Sequence, residues 1–288
     1  SFGDADVYAN FNIYDGTTKV VNYNTRTNLI KNFYTGMTYG EIWGFETERY
    51  FEEKDFTGYD PATKTWTYAP GVADQSGLTN DGFHYGPGDI KFKDLDGNGV
   101  IDGGKGTAED HGDLKVIGNA TPRYEYSFRL GGAWKGFDLD MFFQGVGKRD
   151  MWTTGGFIIP FANNDDVIYA NQMDYNQQIY NADGTVTCIV NQNAAYPALY
   201  GSNAGGGTVD GLDTGRHNFY PQSKYLMNMA YLRFKTLTVG YTLPVELTRK
   251  ALIQKARIYF SADNLCFLYD GMRKYPLDPE IGSQWAKG

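Results

Sequence analysis

Between Arg123 and Gln144 the chain alternates apolar and polar side chains, and the alternation changes phase once. Tyr124, Tyr126, Phe128, Leu130 and Trp134 hold even positions, while Arg123, Glu125, Ser127 and Arg129 hold odd ones. Successive side chains of a strand point to opposite faces, so this is a strand with one apolar face. After Lys135-Gly136 the apolar residues move to odd positions, Phe137, Leu139, Met141 and Phe143, with Asp138, Asp140 and Gln144 between them. A two-residue turn at Lys135-Gly136 accounts for the inversion. Trp134 then faces Phe137, Leu130 faces Met141 and Phe128 faces Phe143, so every apolar partner lands on one side. The other side sets Ser127 opposite Gln144 and Arg129 diagonal to Asp140, a pairing of opposite charges. Such a ribbon needs an apolar medium against one flank, either lipid or a second layer of protein.

Other segments share the habit. Val7, Ala9, Phe11 and Ile13 alternate with polar neighbours before the turn signal Asp15-Gly16, and Ile258, Phe260 and Ala262 alternate with Arg257, Tyr259, Ser261 and Asp263. Asn228 to Thr242 is rich in strand formers but changes parity between Phe234 and Leu237, which a bulge near Lys235 reconciles. Thr38 to Phe51, with Ile42, Trp43, Phe45 and Tyr50, reads as one more strand of the same set. The expected fold is all-β, with about six strands, a sheet in which Val7 starts downward and the strand at Arg257 runs up.

The connections are unequal. Lys135-Gly136 is a minimal turn, whereas Gly147 to about Tyr225 is a connection of roughly 75 residues, and a second excursion runs from about Glu52 to Pro122. Short turns on one side and long loops on the other are the habit of an outer-membrane β-barrel, although a soluble sandwich also carries long loops. No run reaches the ~18 consecutive apolar residues of a membrane-spanning helix. A membrane strand needs only ~10 alternating residues, so a barrel is compatible with the mean hydropathy of -0.48. The formal net charge of -8 argues against a nucleic-acid partner, because neutralising phosphates takes clustered Lys and Arg. Cys188 and Cys266 allow one disulfide or none.

The sharpest chemical motif is Asp94-Leu95-Asp96-Gly97-Asn98-Gly99-Val100-Ile101-Asp102. Asp94, Asp96 and Asn98 fill positions 1, 3 and 5 of a calcium loop, Gly99 the bend, Val100 the carbonyl at 7 and Asp102 position 9. Alternate hard oxygens of this kind can converge on one Ca²⁺. Position 12 is Lys105 where the pattern wants Glu, and Glu109, Asp110 or Asp113 are its candidate replacements. The alternative is a metal-free turn held by its own side-chain to backbone hydrogen bonds. His84, His111 and His217 lack zinc-site spacing, and no nucleophile elbow or phosphate-binding loop is present, so no enzyme is expected. Trp66, Tyr68, Trp152, Tyr169, Tyr175 and Tyr180 in the long loops are aromatic surfaces for sugar rings or, more simply, loop packing.

Several stretches together carry a resemblance. Gly88 through Asp102, Val116-Ile117-Gly118-Asn119, Pro122-Arg123-Tyr124, Trp134 through Leu139 and Phe142-Phe143-Gln144-Gly145 resemble the C-terminal barrel region of SusC/RagA-like TonB-dependent transporters. Gly40 through Gly44, Tyr231-Leu232-Arg233, Val239 through Pro244 and Asp263-Asn264-Leu265 add to it in the same order. The resemblance implies a partial transmembrane β-barrel with long extracellular loops, about six antiparallel strands of a ~22-stranded barrel in the bacterial cell outer membrane. Residues 1–288 would then be the C-terminal part of that barrel, the plug domain and the final strand being absent. It further implies import of glycans, or of peptides, with a SusD-like surface lipoprotein as partner and TonB engaged through the missing N-terminal region. One set of rows would face outer-membrane lipid, and Arg123, Glu125, Arg129, Asp138 and Asp140 would line a polar lumen. The competing expectation is a soluble, calcium-dependent glycan-binding β-sandwich, in which the same apolar rows pack against a second sheet.

Overall fold

Five of the expected strands join one antiparallel sheet in the order in which they occur along the chain: β1 (Ala5–Tyr14), β2 (Arg123–Trp134), β3 (Phe137–Lys148), β4 (Tyr231–Thr242) and β5 (Arg257–Asp270). The computed structural model describes residues 5–24, 26–79, 83–152, 158–160, 168–199, 208–209, 212–213, 217–275 and 277–281. The hairpin register is the one that the phase change requires, with Trp134 opposite Phe137, Leu130 opposite Met141 and Phe128 opposite Phe143. Lys135 and Gly136 both take positive φ, 46° and 89°, the backbone of a two-residue turn whose twist matches that of the strands. The bulge expected at Lys235 is present: β4 loses register against both neighbours between Phe234 and Thr236. Skipping Lys235 returns Leu237, Val239 and Tyr241 to the apolar face.

The segment Thr38 to Phe51 departs from expectation. It forms two short strands, Glu41–Phe45 and Thr47–Tyr50, which pair with Leu114–Asn119 and Ile90–Phe92 and not with the five-stranded sheet. Burial explains why. Phe45, Tyr50 and Phe51 are all buried, the last two at consecutive positions, so the segment has no single apolar face to present to a medium. Removing it from the count makes β1 run the same way as β3 and β5, into a long excursion rather than away from one.

Contacts divide the chain into two units: 1–17, 121–150 and 227–281 hold the sheet, while 18–120, 151–226 and 282–288 hold the excursions. The second unit is not a pair of slack loops. Residues of the first excursion are built into those of the second: Tyr50 donates its hydroxyl to the Ala194 carbonyl at 2.9 Å, and the Ile90 amide donates to Asn218 Oδ1 at 2.7 Å. Phe45, Phe92 and Tyr220 form a cluster of rings, with the Phe45 centroid 4.9 Å from Phe92 and 5.9 Å from Tyr220. Asp55 is buried and takes a bidentate pair of 2.6 Å bonds from Arg49.

Candidate functional site

The sheet presents two chemically opposite faces. On one, side chains form rows that run unbroken across the strands: Phe11, Phe128, Phe143, Phe234 and Cys266 in one, and Ala9, Leu130, Met141, Leu237 and Ala262 in the next. Phe128, Phe143 and Phe234 stack as a ladder with centroids 4.5 Å apart at each step. The flanking positions stay open: Phe11 is 64% exposed, Phe137 56%, Ile258 67% and Phe260 64%. A sandwich would bury these side chains under a second sheet, so their exposure favours the barrel expectation over it.

The opposite face is polar and cross-braced. Arg129 Nε donates to both Asp140 oxygens, at 3.1 and 2.7 Å, which realises the expected diagonal pair. Tyr8 on β1 also donates to Asp140, from two strands away, passing over Gly131 of β2. From the other side Arg257 on β5 reaches Asp138, with Nη2 2.5 Å from Oδ2, passing over Gly240 of β4. The two carboxylates of the central strand are thus each held by a residue of a next-nearest strand, and each reach needs a glycine beneath it. Sequence reasoning placed Asp138 and Asp140 on this face but missed Tyr8 and Arg257 as their partners. The signal was the glycine standing in an otherwise bulky strand. Near the far end of β4, Arg233 bonds Asp278 at 2.5 Å, and Lys235 bonds Glu280 at 2.7 Å.

The acidic loop folds as a chain of side-chain to backbone bonds. Asp94 accepts from Gly97 and Gly99, Asp96 from Asn98, Asn98 from Val100, and Asp102 from Gly104. Ile101 is fully buried and anchors the loop. Of the five residues expected to ligate, Asp94 and Asp96 converge, and the third member of their cluster is Asp113, with one carboxylate oxygen from each lying within 4.8 Å of the others. Asp113 was one of the three candidates to replace the missing position 12. Asn98 donates its Nδ2 to Asp96, Asp102 accepts from the Gly104 amide through Oδ1, and Val100 offers only its backbone. Burial pushes the Asp113 carboxyl up, the charge of Asp96 adds to this, and backbone amides of Asp102 and Leu95 oppose it. Three carboxylates facing one another with only amide compensation form a donor set that suits a hard cation.

The loop aromatics are mostly packing. Tyr68 and Trp66 lie against Phe56, at 5.3 and 5.4 Å, whereas Tyr169 and Tyr180 are exposed. His217 is buried against Phe83, His111 lies 5.2 Å from Trp43, and His84 is exposed. Cys188 and Cys266 are free thiols.

A one-sided apolar sheet of antiparallel strands in sequential order, with a minimal turn at Lys135-Gly136 and long excursions elsewhere, is the pattern of a β-barrel segment. The particular likeness is to TonB-dependent transporters, as the sequence motifs indicate. The chain is 29% identical over 195 residues to TonB-dependent receptor P3 of Formosa agariphila, covering 67% of this chain and 16% of that protein. It shares its fold with two structures of the RagAB peptide transporter, one in the closed-closed state, at 20% identity and TM-scores of 0.55 and 0.53. Those matches cover 98% of this chain and 25% of the solved chain. No known family model matches. The relatives are a receptor and a transporter, not enzymes.

Proposed function

We propose that this chain is the C-terminal part of the β-barrel of a TonB-dependent importer, which takes up oligosaccharides or peptides together with a SusD-like surface lipoprotein. The plug domain, the final strand and the TonB-contacting region belong to the remainder of such a protein. The apolar rows face lipid and the braced polar rows face the lumen. The observation that carries this reading is the exposed apolar face, because an aqueous sheet with Phe11, Phe137, Ile258 and Phe260 open to water would aggregate. Peptide cargo is supported by the fold shared with a peptide transporter, and sugar cargo by the exposed rings of Tyr169 and Tyr180 among the excursions. Calcium at Asp94, Asp96 and Asp113 would fix the acidic loop and hold the first excursion in shape. The test is uptake by cells expressing the full-length protein, given labelled oligosaccharides and labelled peptides, with and without TonB. TonB-dependent accumulation of one class is expected; accumulation of neither, with a protein that partitions into the soluble fraction, overturns the reading.

A further inference from the structure

The connection from β4 to β5 is built unlike an ordinary polar turn. It carries a one-turn helix, Val245–Thr248, and then a 3-10 turn, Arg249–Ala251. Val245, Leu247, Leu252 and Ile253 are all exposed, Leu252 by 96%. Leu252 also sits at φ 60°, a left-handed conformation that a leucine adopts at a cost and that nothing around it repays through burial. Interleaved with these side chains are Arg249, Lys250 and Lys255 against the single acid Glu246. The connection is fixed to the hairpin end of the sheet, since the Thr242 amide donates to the Gly136 carbonyl and Leu243 to Ala256. It therefore continues the rim where Trp134, Phe137 and Tyr241 end the apolar face, with Phe137 and Tyr241 4.4 Å apart and the Lys135 ammonium 5.0 Å from the Trp134 ring.

We infer that this connection is a lipid anchor: its leucines, valine and isoleucine enter the headgroup to acyl boundary, while Arg249, Lys250 and Lys255 hold anionic phospholipid headgroups. Apolar and cationic side chains alternating on an exposed surface match an anionic interface, and an aromatic rim continuous with them marks the same depth. The inference rests on the lipid-facing reading of the sheet.

The experiment uses full-length protein in a Cys188→Ala/Cys266→Ala background, reconstituted into vesicles of phosphatidylcholine with or without phosphatidylglycerol. Nitroxide labels at Leu252→Cys, at Phe11→Cys on the apolar face of β1, and at the exposed turn residue Lys64→Cys are compared for access to oxygen and to a water-soluble nickel chelate. The anchor predicts nickel access at 252 several-fold below that at 64, at a shallower depth than 11, and rising when phosphatidylglycerol is omitted or when Arg249, Lys250 and Lys255 become Gln. A label at 252 as accessible as one at 64, in both lipids, with 11 still deep, assigns the turn to water or a soluble partner and overturns the anchor alone. Aqueous access at 11 as well overturns the lipid-facing reading and the anchor with it.

Discussion

Arg257 and Asp138 form a bidentate ion pair, at 3.0 and 2.5 Å, although their strands are not neighbours. The guanidinium crosses β4 above Gly240, where a Cβ would lie 2.5 Å from both Arg257 Nη2 and Asp138 Oδ1. Gly240→Ala is therefore expected to push the two side-chain ends apart and break the bridge, at a modest cost to the sheet because the pair is exposed. Asp138→Asn, which weakens the bridge without filling the space, should cost less. Comparing the temperatures at which the two variants lose heat-modifiable migration on a gel checks the order.

Phe11 and Asn12 are adjacent and face opposite media on the proposed reading. Phe11→Arg is expected to cost ~2 to 4 kcal/mol near the bilayer midplane, and Asn12→Arg close to nothing. Folding equilibria measured in lipid vesicles decide it, and equal penalties count against a lipid face.

The three-carboxylate cluster predicts saturable terbium luminescence from the full-length protein. Asp113→Asn should abolish it, because the negative charge of the most buried of the three carboxylates is lost, while Asp102→Asn, outside the cluster, should leave it nearly unchanged. The reverse order would move the site to the position the sequence pattern alone gives.

Asp55 ties its segment down through Arg49. Burial pushes its carboxyl up, but the bidentate guanidinium and the Glu52 amide more than offset this, so its folded pKa lies below the ordinary value. A depressed acid contributes stability in full above its unfolded pKa and loses it as pH falls through the lower folded one. Amide exchange at Tyr50 and Phe51 should accordingly stay slow at neutral pH and accelerate only in that acid window. Asp55→Asn should accelerate it at neutral pH, at a cost of about 3 to 5 kcal/mol for a broken buried pair, and make little difference below the acid window, where the wild-type carboxyl is already neutral.

The sheet was legible because its signals are local or follow from strict period-2 geometry. Lys135-Gly136 fixes the register, parity fixes the faces, and the parity break in β4 marks the bulge. The Thr38 to Phe51 segment misled because a β-rich run looks the same whether its neighbours are sheet strands or core residues from 140 positions away, as Gln192 and Ala194 are to Tyr50. Of the metal motif, Asp94 and Asp96 were readable from spacing. Asp113 was only one of three choices, because its place depends on how the intervening residues 103 to 112 turn back. The braces from Tyr8 and Arg257 were invisible to pairing rules, which link adjacent strands only.

The two excursions share one interior, and that limits how either can vary in sequence. A new outer loop cannot be grafted piecemeal: altering the ring set of Phe45, Phe92 and Tyr220 strips partners from both stretches of chain at once. Diversification would then proceed by exchange of matched pairs of excursions, or by changes confined to their exposed residues, while the strands of the sheet remain a constant chassis.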